Sequence, residues 1–413
     1  MENEKNSLSV LVYVTIAAVV ALCLAFAFNI GNIANSRPPV FSKINMLQAL
    51  WYEYKANYLE SGTLRALDKQ RDNITTSEGQ SYSMLRAVWM DDKATFDAVW
   101  QWTKDNMQRR EDHLVSWLFG ERADGSYGVL SAEGGANSAS DADTDTALAL
   151  LFAWKRWNSE SYFGDAIGIV RDIWEKEVVP IGGKPYLAAN NVEKTAGKSD
   201  ILVNPSYFAP YAYKIFAQVD PDRDWLGVAS TSYDVLAESS RLPLDKAATS
   251  FLPPDWITID RSSGAISPPP ASDGLTTDFS FDAIRVPWRI ALDYAWTGDP
   301  RAKAALGRLV FLSDEWKKNG AIYSSYSHDG EPLSDSVSPA TYGGVIGYFA
   351  ALGGEEGEAV YRKLESLYDP NESRWLTPQS YYDENWAWFG MALQAGALQD
   401  LFLVKPKASN GTL

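Results

Sequence analysis

Histidine and cysteine are almost missing from this 413-residue sequence. It contains two histidines, His113 and His328, and one cysteine, Cys23. Zinc sites and Ser-His or Cys-His nucleophiles are built from these residue types, so the composition argues against those chemistries. A single cysteine cannot form a disulfide within the chain. Carboxylates must therefore carry any acid–base chemistry, and we expect neither a metal nor another cofactor.

Positive charge is also scarce. The chain has 37 Lys and Arg residues against 53 Asp and Glu, a formal charge of −16, and no basic cluster reverses this sign locally. Such a surface repels the phosphate backbone of nucleic acid. We therefore expect no nucleic-acid partner. The same charge favours a neutral or cationic polymer over an anionic one.

The N-terminal region contains a long segment without charge. Residues 8–28, LSVLVYVTIAAVVALCLAFAF, are predominantly apolar, and a helix of that length, at about 1.5 Å per residue, crosses a bilayer core of about 30 Å. We interpret residues 1–30 as a single membrane anchor. A cleaved signal peptide is the alternative, but no small-residue cleavage site is clear. The flanking charges are too few to set the orientation, and residues 31–42, with paired prolines, are predicted to form a linker.

Beyond the linker the dominant pattern is helical. Apolar residues recur at helical spacing in about ten segments, such as FDAVWQWTKDNM, DTALALLFAWKRW and NWAWFGMALQAGALQDLF. Strand-like alternation is rare. This pattern predicts an all-α domain over residues 43–405, followed by a tail of residues 406–413. Long loops rich in Gly, Pro and aromatic residues, such as residues 251–275, join the helices and are expected to build a binding face.

Aromatic residues are abundant, with 16 tryptophans and 21 tyrosines. We expect most of them to fill the core. Aromatic rings in loops can instead stack on sugar rings, because both surfaces combine apolar faces with polar edges. Trp117 in SWLFG and Tyr207 in NPSYFAP are the best candidates for this role.

Two acidic motifs lie where helices are predicted to begin. In TTSEGQSYSM, Thr75 and Glu78 fit a capping box, which leaves open whether Glu78 caps a helix or does chemistry. In SASDADTDTALALL, Asp141, Asp143 and Asp145 lie at a helix start, where acidic residues are common. Capping needs only one of these aspartates, and three so close repel one another. The surplus suggests a site.

A third acidic motif is FSFDAIRVPWRIALDYAW. Here Asp282 fits an N-cap, with Arg285 as an ion-pair partner one turn later. Taken together, the three motifs could place carboxylates on one side of a helical domain. Cleavage of a glycosidic bond needs a carboxylic acid to protonate the leaving oxygen and a carboxylate to activate water, without metal or histidine. The composition permits this chemistry and little else.

Four motifs of this sequence resemble those of a known family and occur in the same order. TTSEGQSYSM, SASDADTDTALALL with FAWKRW, NPSYFAP and FDAIRVPWR together resemble glycoside hydrolase family 8, over residues 46–400. The resemblance implies an (α/α)6 barrel with an open substrate cleft. It also implies an inverting mechanism, in which the two catalytic carboxyl groups lie about 6.5–9.5 Å apart with a water between them.

The same resemblance implies roles for individual residues. Glu78 matches the general acid and Asp282 the general base. Asp141 matches an aspartate that holds the sugar at the point of cleavage. Tyr207 matches a tyrosine that helps to place the water, and Arg285 matches a partner of the base.

Further matches concern the walls of the cleft. Tyr381 and Tyr382 in SYYDENW resemble a tyrosine pair that lines it, and Trp117 matches a sugar-stacking position. We also expect Asp143 to contact the substrate. The sequence departs from the family pattern at Ser83, where the family has glycine, which bears on substrate preference and not on the carboxylates.

These observations predict a membrane-anchored endo-β-1,4-glucanase that acts on a β-1,4-linked polysaccharide. We expect a single-pass protein of the cell membrane with its catalytic domain outside the cytoplasm. A polysaccharide synthase complex is a candidate partner. A general acid must keep its proton near neutral pH, so we predict a raised pKa for Glu78. The alternatives are a chitosanase or another β-1,4-glycanase of the same fold, and a noncatalytic polysaccharide-binding accessory protein.

Overall fold

A computed structural model describes residues 42–195, 197–372 and 374–403. The chain divides into two compact units, Met1–Asn45 and Met46–Leu413. Only residues 42–45 of the first unit are described, and every contact reported below lies within the second. The predicted membrane segment, residues 8–28, lies outside the described residues. Within them, no helix combines the length and the apolar composition needed to span a bilayer.

The described residues form thirteen α-helices, more than the ten or so that the periodicity of the sequence predicted. In chain order they are α1 (Lys43–Tyr58), α2 (Ser77–Trp89), α3 (Lys93–Asn106), α4 (Ser140–Trp157), α5 (Glu160–Lys176), α6 (Pro210–Val219), α7 (Trp225–Arg241), α8 (Arg285–Thr297), α9 (Pro300–Leu306), α10 (Val310–Asn319), α11 (Pro339–Leu352), α12 (Glu355–Glu365) and α13 (Tyr381–Gln394).

Six of these helices form a closed inner ring. Helices α2, α4, α6, α8, α11 and α13 pack side by side in this order, and α13 returns to α2, where the Trp386 indole donates to the Tyr82 hydroxyl at 3.2 Å. Each of α3, α5, α7, α9 and α12 packs against the inner helix that precedes it. Helix α1 is the sixth outer helix, and its Leu47 carbonyl accepts from the Trp388 indole of α13 at 3.0 Å. This arrangement confirms the predicted (α/α)6 barrel.

The connections at the two ends of the barrel differ in length. Turns from an inner helix to the next outer helix are short, as at residues 90–92 and 158–159. The connections that lead back to an inner helix are long, and the ten short strands of the described residues all lie in them. The strands are β1 (Thr75–Thr76), β2 (Leu118–Glu121), β3 (Tyr127–Val129), β4 (Val178–Ile181), β5 (Lys184–Leu187), β6 (Asp200–Val203), β7 (Ile257–Asp260), β8 (Ile266–Ser267), β9 (Tyr368–Asp369) and β10 (Arg374–Trp375). Long loops therefore gather at the end where the inner helices begin.

The strands form four small antiparallel sheets. Their strand orders are β1-β2-β3, β4-β5, β6-β7-β8 and β9-β10. In the third sheet Asp200 is opposite Asp260 and Val203 is opposite Ile257. We had expected residues 251–275 to be loop, whereas the structure places two strands there. This pairing joins segments far apart in the sequence, so no local pattern shows it.

Helix α11 packs very close to two neighbouring helices because glycines line both contacts. A Cβ atom at Gly343 would lie 2.0 Å from the carbonyl oxygen of Trp386 in α13. One at Gly347 would lie 2.3 Å from the carbonyl oxygen of Pro287 in α8. Any side chain at these positions would clash with main chain. The YGGVIGY segment therefore sets the spacing of α8 and α13, which both contribute to the site described next.

Aromatic side chains fill much of the barrel. Trp288, Trp386 and Phe389 pack against one another with ring centroids 5.4–5.5 Å apart, and the Tyr82 ring meets Trp386 edge-on. Eight of the sixteen tryptophans are buried, and they are Trp51, Trp89, Trp100, Trp225, Trp288, Trp375, Trp386 and Trp388. Five more pack against the main core, and they are Trp154, Trp157, Trp174, Trp296 and Trp316. The expectation that most aromatic residues serve the core is confirmed.

Candidate active site

Arg285, the first residue of α8, lies at the centre of an acidic cluster. Its side chain is only 1% exposed. Nη1 donates to Glu78 Oε2 at 2.7 Å and to Asp141 Oδ2 at 3.1 Å, and Nη2 donates to Asp282 Oδ1. Three carboxylates from three separate motifs therefore meet at one guanidinium, as the three motifs had suggested.

Glu78 lies in the first turn of α2. The N-cap of this helix is Thr76, whose Oγ1 accepts from the Gly79 backbone N–H at 3.0 Å. Thr75 belongs to strand β1 instead. The capping box of Thr75 and Glu78 is therefore wrong, since Thr76 caps the helix. Glu78 lies in the first helical turn and its carboxylate reaches the cluster.

Both carboxyl oxygens of Glu78 have partners. Arg285 donates to Oε2, and the Tyr381 hydroxyl donates to Oε1 at 3.0 Å. Burial raises the pKa of Glu78 to about 7; Arg285 opposes this rise, and the charges of Asp141 and Asp282 add to it. The predicted rise in pKa is confirmed. A carboxyl group with this pKa keeps its proton at mildly acidic pH, as a general acid requires.

Asp282 lies in the turn before α8. The N-cap of α8 is Ile284, so the predicted helix cap at Asp282 is wrong, whereas the ion pair with Arg285 is confirmed. The other oxygen, Oδ2, accepts from the Trp256 indole N–H at 3.0 Å. The Asp282 side chain is 31% exposed, against 21% for Glu78. Solvent can therefore reach Asp282, which suits a base that acts on water.

Asp141 lies in the first turn of α4. It is almost fully buried, and its Oδ1 accepts from the Ala142 backbone N–H at 2.8 Å. Burial raises the pKa of Asp141, while Arg285 and Arg289 oppose the rise. Asp141 thus belongs to the same charged cluster as Glu78. Its contact with a sugar stays a prediction.

Aromatic rings flank the cluster. The guanidinium of Arg285 lies over the Tyr207 ring, 5.1 Å from its centroid, and the Tyr207 ring meets Trp256 edge-on at 5.8 Å. On another side, the Tyr382 hydroxyl donates to the Phe281 carbonyl and the two rings lie 6.4 Å apart. Half-buried rings beside polar groups are a typical surface for a sugar.

Trp117 lies in a chain segment next to Glu78. Its carbonyl accepts from the Ser77 backbone N–H at 3.0 Å, and its indole donates to the Gly134 carbonyl at 3.0 Å. The side chain is half-buried. The structure therefore places Trp117 beside Glu78, and stacking on a sugar stays a prediction.

Asp143 is the predicted site residue that the structure does not bring to the cluster. It is fully buried, and its Oδ1 accepts from the Val115 backbone N–H at 2.9 Å. Its other oxygen faces the buried carboxyl group of Glu177. Burial raises the pKa of Asp143 to about 8. A side chain with no exposed surface cannot contact a substrate, so this expectation is corrected.

Ser83, the departure from the family pattern, faces the outer layer of helices. Its hydroxyl donates to the Gly79 carbonyl at 2.7 Å and lies 3.0 Å from the Tyr54 hydroxyl of α1. The substitution therefore adds polar contacts between α2 and α1 and makes no contact with the acidic cluster.

The cation among the three carboxylates is a protein side chain. Across residues 42–195, 197–372 and 374–403, no group of three or more His, Cys, Asp or Glu side chains is arranged to hold a metal ion. Arg285 occupies the position between the carboxylates.

Comparison with known proteins identifies the family. The model of the glycosyl hydrolases family 8 matches residues 16–335. The chain belongs to this family. The fold is similar to that of the endo-1,4-D-glucanase from Vibrio fischeri ES114, with a TM-score of 0.72 at 24% identity over 87% of this chain and 98% of that one.

Two curated relatives of this family 8 chain are endoglucanases. Endoglucanase A of Acetivibrio thermocellus is 32% identical over 367 residues, which are 86% of this chain and 70% of the relative. Endoglucanase C of Ruminiclostridium cellulolyticum is 33% identical over 291 residues, which are 68% of this chain and 54% of the relative. The matched region thus spans about half to seven tenths of the length of these relatives.

Several residues of this family 8 site were not singled out from the sequence. The Tyr82 hydroxyl accepts from Arg285 Nη1 at 3.3 Å, and the Ser206 hydroxyl accepts from Arg285 Nε at 3.0 Å. Tyr82 follows Glu78 by one helical turn, so helical spacing could have revealed it. Trp256 lies in a loop that we expected to form a binding face, but its contact with Asp282 depends on the fold.

Proposed function

We propose that this chain is an inverting endo-β-1,4-glucanase that hydrolyses a neutral β-glucan. One observation carries the proposal. Glu78, a carboxyl group with a pKa of about 7, and Asp282, a more exposed carboxylate, contact different nitrogens of the Arg285 guanidinium. Inverting hydrolysis of a glycosidic bond needs such an acid and such a base. The endoglucanase names of the curated relatives support the same activity.

The reaction follows from the contacts of each carboxyl oxygen. Glu78 Oε2 accepts from the charged Arg285 at 2.7 Å and Oε1 from the neutral Tyr381 at 3.0 Å. The charge-assisted hydrogen bond is the stronger one, so Oε1 is the oxygen that carries the transferable proton. Glu78 donates this proton to the glycosidic oxygen as the bond to the anomeric carbon breaks. Asp282 accepts a proton from the water that attacks the opposite face of that carbon. Glu78 is then an anion and Asp282 is neutral, and proton exchange with solvent restores both groups.

Neighbouring groups stabilise the charges that develop. Arg285, at 2.7 Å, stabilises the anion formed on Glu78, and a charge-assisted hydrogen bond is stronger than a neutral one. Burial, with the charges of Asp141 and Asp282, raises the pKa of Tyr207 well above its usual range. The Tyr207 hydroxyl therefore keeps its proton and can donate to the attacking water.

The decisive experiment compares carboxamide variants of the two carboxyl groups in the full-length chain. Glu78→Gln and Asp282→Asn should each lower kcat on a β-glucan by roughly 10²–10⁴-fold, measured as new reducing ends. Glu160→Gln is the matched control, because Glu160 also lies in the first turn of a helix but is exposed and bonded to Trp154. This control should keep wild-type activity.

The stereochemistry of the product is a second check. Proton NMR of the first product should show the anomer inverted relative to the substrate. A retained anomer would contradict the inverting mechanism. If the wild-type chain releases no reducing ends from any β-glucan, chitosan or xylan, the enzyme assignment fails.

One observation favours a second substrate class. A formal charge of −16 attracts a cationic polysaccharide such as chitosan. Rates on chitosan and on carboxymethyl-cellulose, which have opposite charges, would separate a chitosanase from a glucanase. A noncatalytic polysaccharide-binding protein would instead bind glucan and release no product.

The location of the catalytic unit is also part of the proposal. The charge-free segment at residues 8–28 supports a membrane anchor, and a polymer substrate outside the cytoplasm would require an outward-facing catalytic unit. A catalytic unit in this location could act on a polysaccharide next to the synthase complex that produces it. Membrane fractionation tests the anchor, and recovery of the chain in the cytosolic fraction would contradict it. Protease treatment of intact cells tests the orientation, and a chain that is protected from the protease would contradict an outward-facing catalytic unit.

A further inference from the structure

We propose that Trp256 is a positioning residue, which holds the general base and the tyrosine beside it in a single arrangement. The inference rests on the proposed function and concerns the side of the site where water attacks. It starts from the observation that Trp256, like Arg285, touches both Asp282 and Tyr207, and it assigns to Trp256 a role other than stacking on a sugar.

The first observation is how the Asp282 carboxylate is held. Arg285 Nη2 donates to Oδ1 and the Trp256 indole N–H donates to Oδ2 at 3.0 Å. A carboxylate held at both oxygens by two rigid planar donors cannot rotate freely about its last torsion. The remaining lone pairs of Asp282 therefore keep one direction, which a base needs to meet a water within hydrogen-bond reach.

The second observation is that the same indole packs against the tyrosine. The Trp256 and Tyr207 rings meet at an interplanar angle of 71°, with centroids 5.8 Å apart. Such edge-to-face pairs have a preferred geometry. Trp256 therefore sets the distance between the base and Tyr207, the two groups proposed to act on the water.

The main chain of Trp256 is itself anchored to the segment that carries the base. The backbone N–H of Trp256 donates to the Thr276 carbonyl at 3.1 Å, and that of Asp255 donates to the Asp278 carbonyl at 2.7 Å. Residues 255–256 and 276–278 thus form one paired unit. A movement of Trp256 would be transmitted to the turn that contains Asp282.

The side chain of Asp255 completes this anchoring. It is 4% exposed and accepts from the backbone N–H groups of Ser280 at 3.2 Å and Ala283 at 2.7 Å, and from the Ser280 hydroxyl. These donors flank Asp282 on both sides. Burial, together with the charge of Asp282, raises the pKa of Asp255 to about 7.

The test is Trp256→Phe in the full-length chain, which keeps a ring but removes the N–H donor. Misplacing a catalytic group by about 1 Å can cost roughly 10²-fold. We expect kcat on β-glucan to fall by at least about tenfold while KM stays within about twofold. Trp100→Phe is the matched control, because the Trp100 indole also donates to a carboxylate, Asp165 at 2.8 Å, far from the cluster in helix α3. This control should keep the wild-type kcat.

A change of leaving group separates the base side from the acid side of the reaction. An aryl β-glycoside with a good leaving group needs little protonation, so it should restore much of the activity of Glu78→Gln. It should not restore Trp256→Phe, because attack of water still requires Asp282. An acid-side defect is therefore recovered on the aryl glycoside, whereas a base-side defect is not.

The outcomes are distinct. An unchanged kcat in Trp256→Phe would overturn the positioning role, and so would a raised KM with unchanged kcat, which would make Trp256 a sugar platform. An inactive but folded wild type would overturn the proposed function itself. If Trp256→Phe does not fold by circular dichroism, Asp255→Asn decides instead: it should lower kcat by roughly two- to tenfold at unchanged KM, and full activity would contradict the inference.

Discussion

Two arginines one turn apart on helix α8 have different surroundings. Arg285 and Arg289 are each 1% exposed. Arg285 bonds to three carboxylates, of which Glu78 and Asp282 reach solvent. Arg289 bonds to one carboxylate, Asp145, at 2.9 and 2.8 Å, and also donates to the Tyr211 hydroxyl at 2.8 Å.

The difference lies in the balance of charge. Arg289 and Asp145 are one cation and one anion in a closed, bidentate pair, which joins α8 to α4. Around Arg285, three carboxylates face one cation, and the excess negative charge helps to raise the pKa of Glu78. A balanced buried pair is typical of a structural contact, whereas an unbalanced cluster open to solvent is typical of a functional site.

Replacing each arginine by lysine tests the difference in role between Arg285 and Arg289 and should give the largest effect. In Arg285→Lys, one ammonium cannot serve three carboxylates, and we expect kcat to fall by roughly 10²-fold. In Arg289→Lys, loss of the bidentate geometry should cost about 1.5–3 kcal/mol of unfolding free energy, with kcat per folded molecule unchanged. Urea unfolding and steady-state rates measure the two effects. Equal losses of activity in both variants would mean that the two arginines do not differ in role.

A second, smaller effect is expected in the pH profile, which tests the pKa of Glu78. The acid role proposed for Glu78 requires its protonated form, so kcat/KM should fall as the pH rises through about 7. The hydrogen bond from Tyr381 favours the charged form of Glu78. Tyr381→Phe should therefore raise the pKa and move the alkaline limb of the profile to higher pH. Tyr382→Phe is the control, since Tyr382 bonds to the Phe281 carbonyl instead, and an equal displacement in that variant would rule out the assignment of the limb to this contact.

The smallest expected effect concerns the buried carboxyl pair of Asp143 and Glu177. Burial raises the pKa of Asp143 to about 8, and the Glu177 carboxyl faces it. Between about pH 4 and 8 the folded state therefore binds more protons than the unfolded state, so stability falls as pH rises. Asp143→Asn keeps an acceptor for the Val115 N–H and removes the titration. We expect it to gain on the order of 1 kcal/mol relative to wild type at pH 8.

Thermal unfolding of both proteins at pH 5 and pH 8 measures this gain. Glu177→Gln removes the other carboxyl group of the pair and should also make stability less dependent on pH. Parallel pH dependences in wild type and Asp143→Asn would show that this pair does not titrate in that range.

The helical part of the fold could be predicted because helical periodicity is local. Helix α4 begins at Ser140, directly at the SDADTD motif, and α2 begins at Ser77 beside Glu78. The end of α13 was less well predicted. The apolar pattern continues to Phe402, but the helix ends at Gln394, where Gly396 follows at φ +65°. This glycine is a local helix-termination signal, which an interpretation based on the apolar pattern alone does not use.

The strands in the loops could not be predicted in the same way. Strand β7 pairs with β6, and this pairing brings Trp256, the residue before β7, into the site. The isolated sequence of residues 251–275 resembles a Pro-rich loop. Pairing of β7 with the distant β6, together with its local pairing with β8, makes part of this segment a sheet.

The sequence by itself determined the helices, the excess of carboxylates and, through the order of its motifs, the family. The tertiary structure alone decided which acidic side chains share a cation. It assigned Glu78, Asp141 and Asp282 to Arg285, Asp145 to Arg289, and Asp143 to neither. Neighbouring aspartates on one helix point in different directions, about 100° apart per residue. Their chemistry therefore depends on what the surrounding helices place opposite each of them.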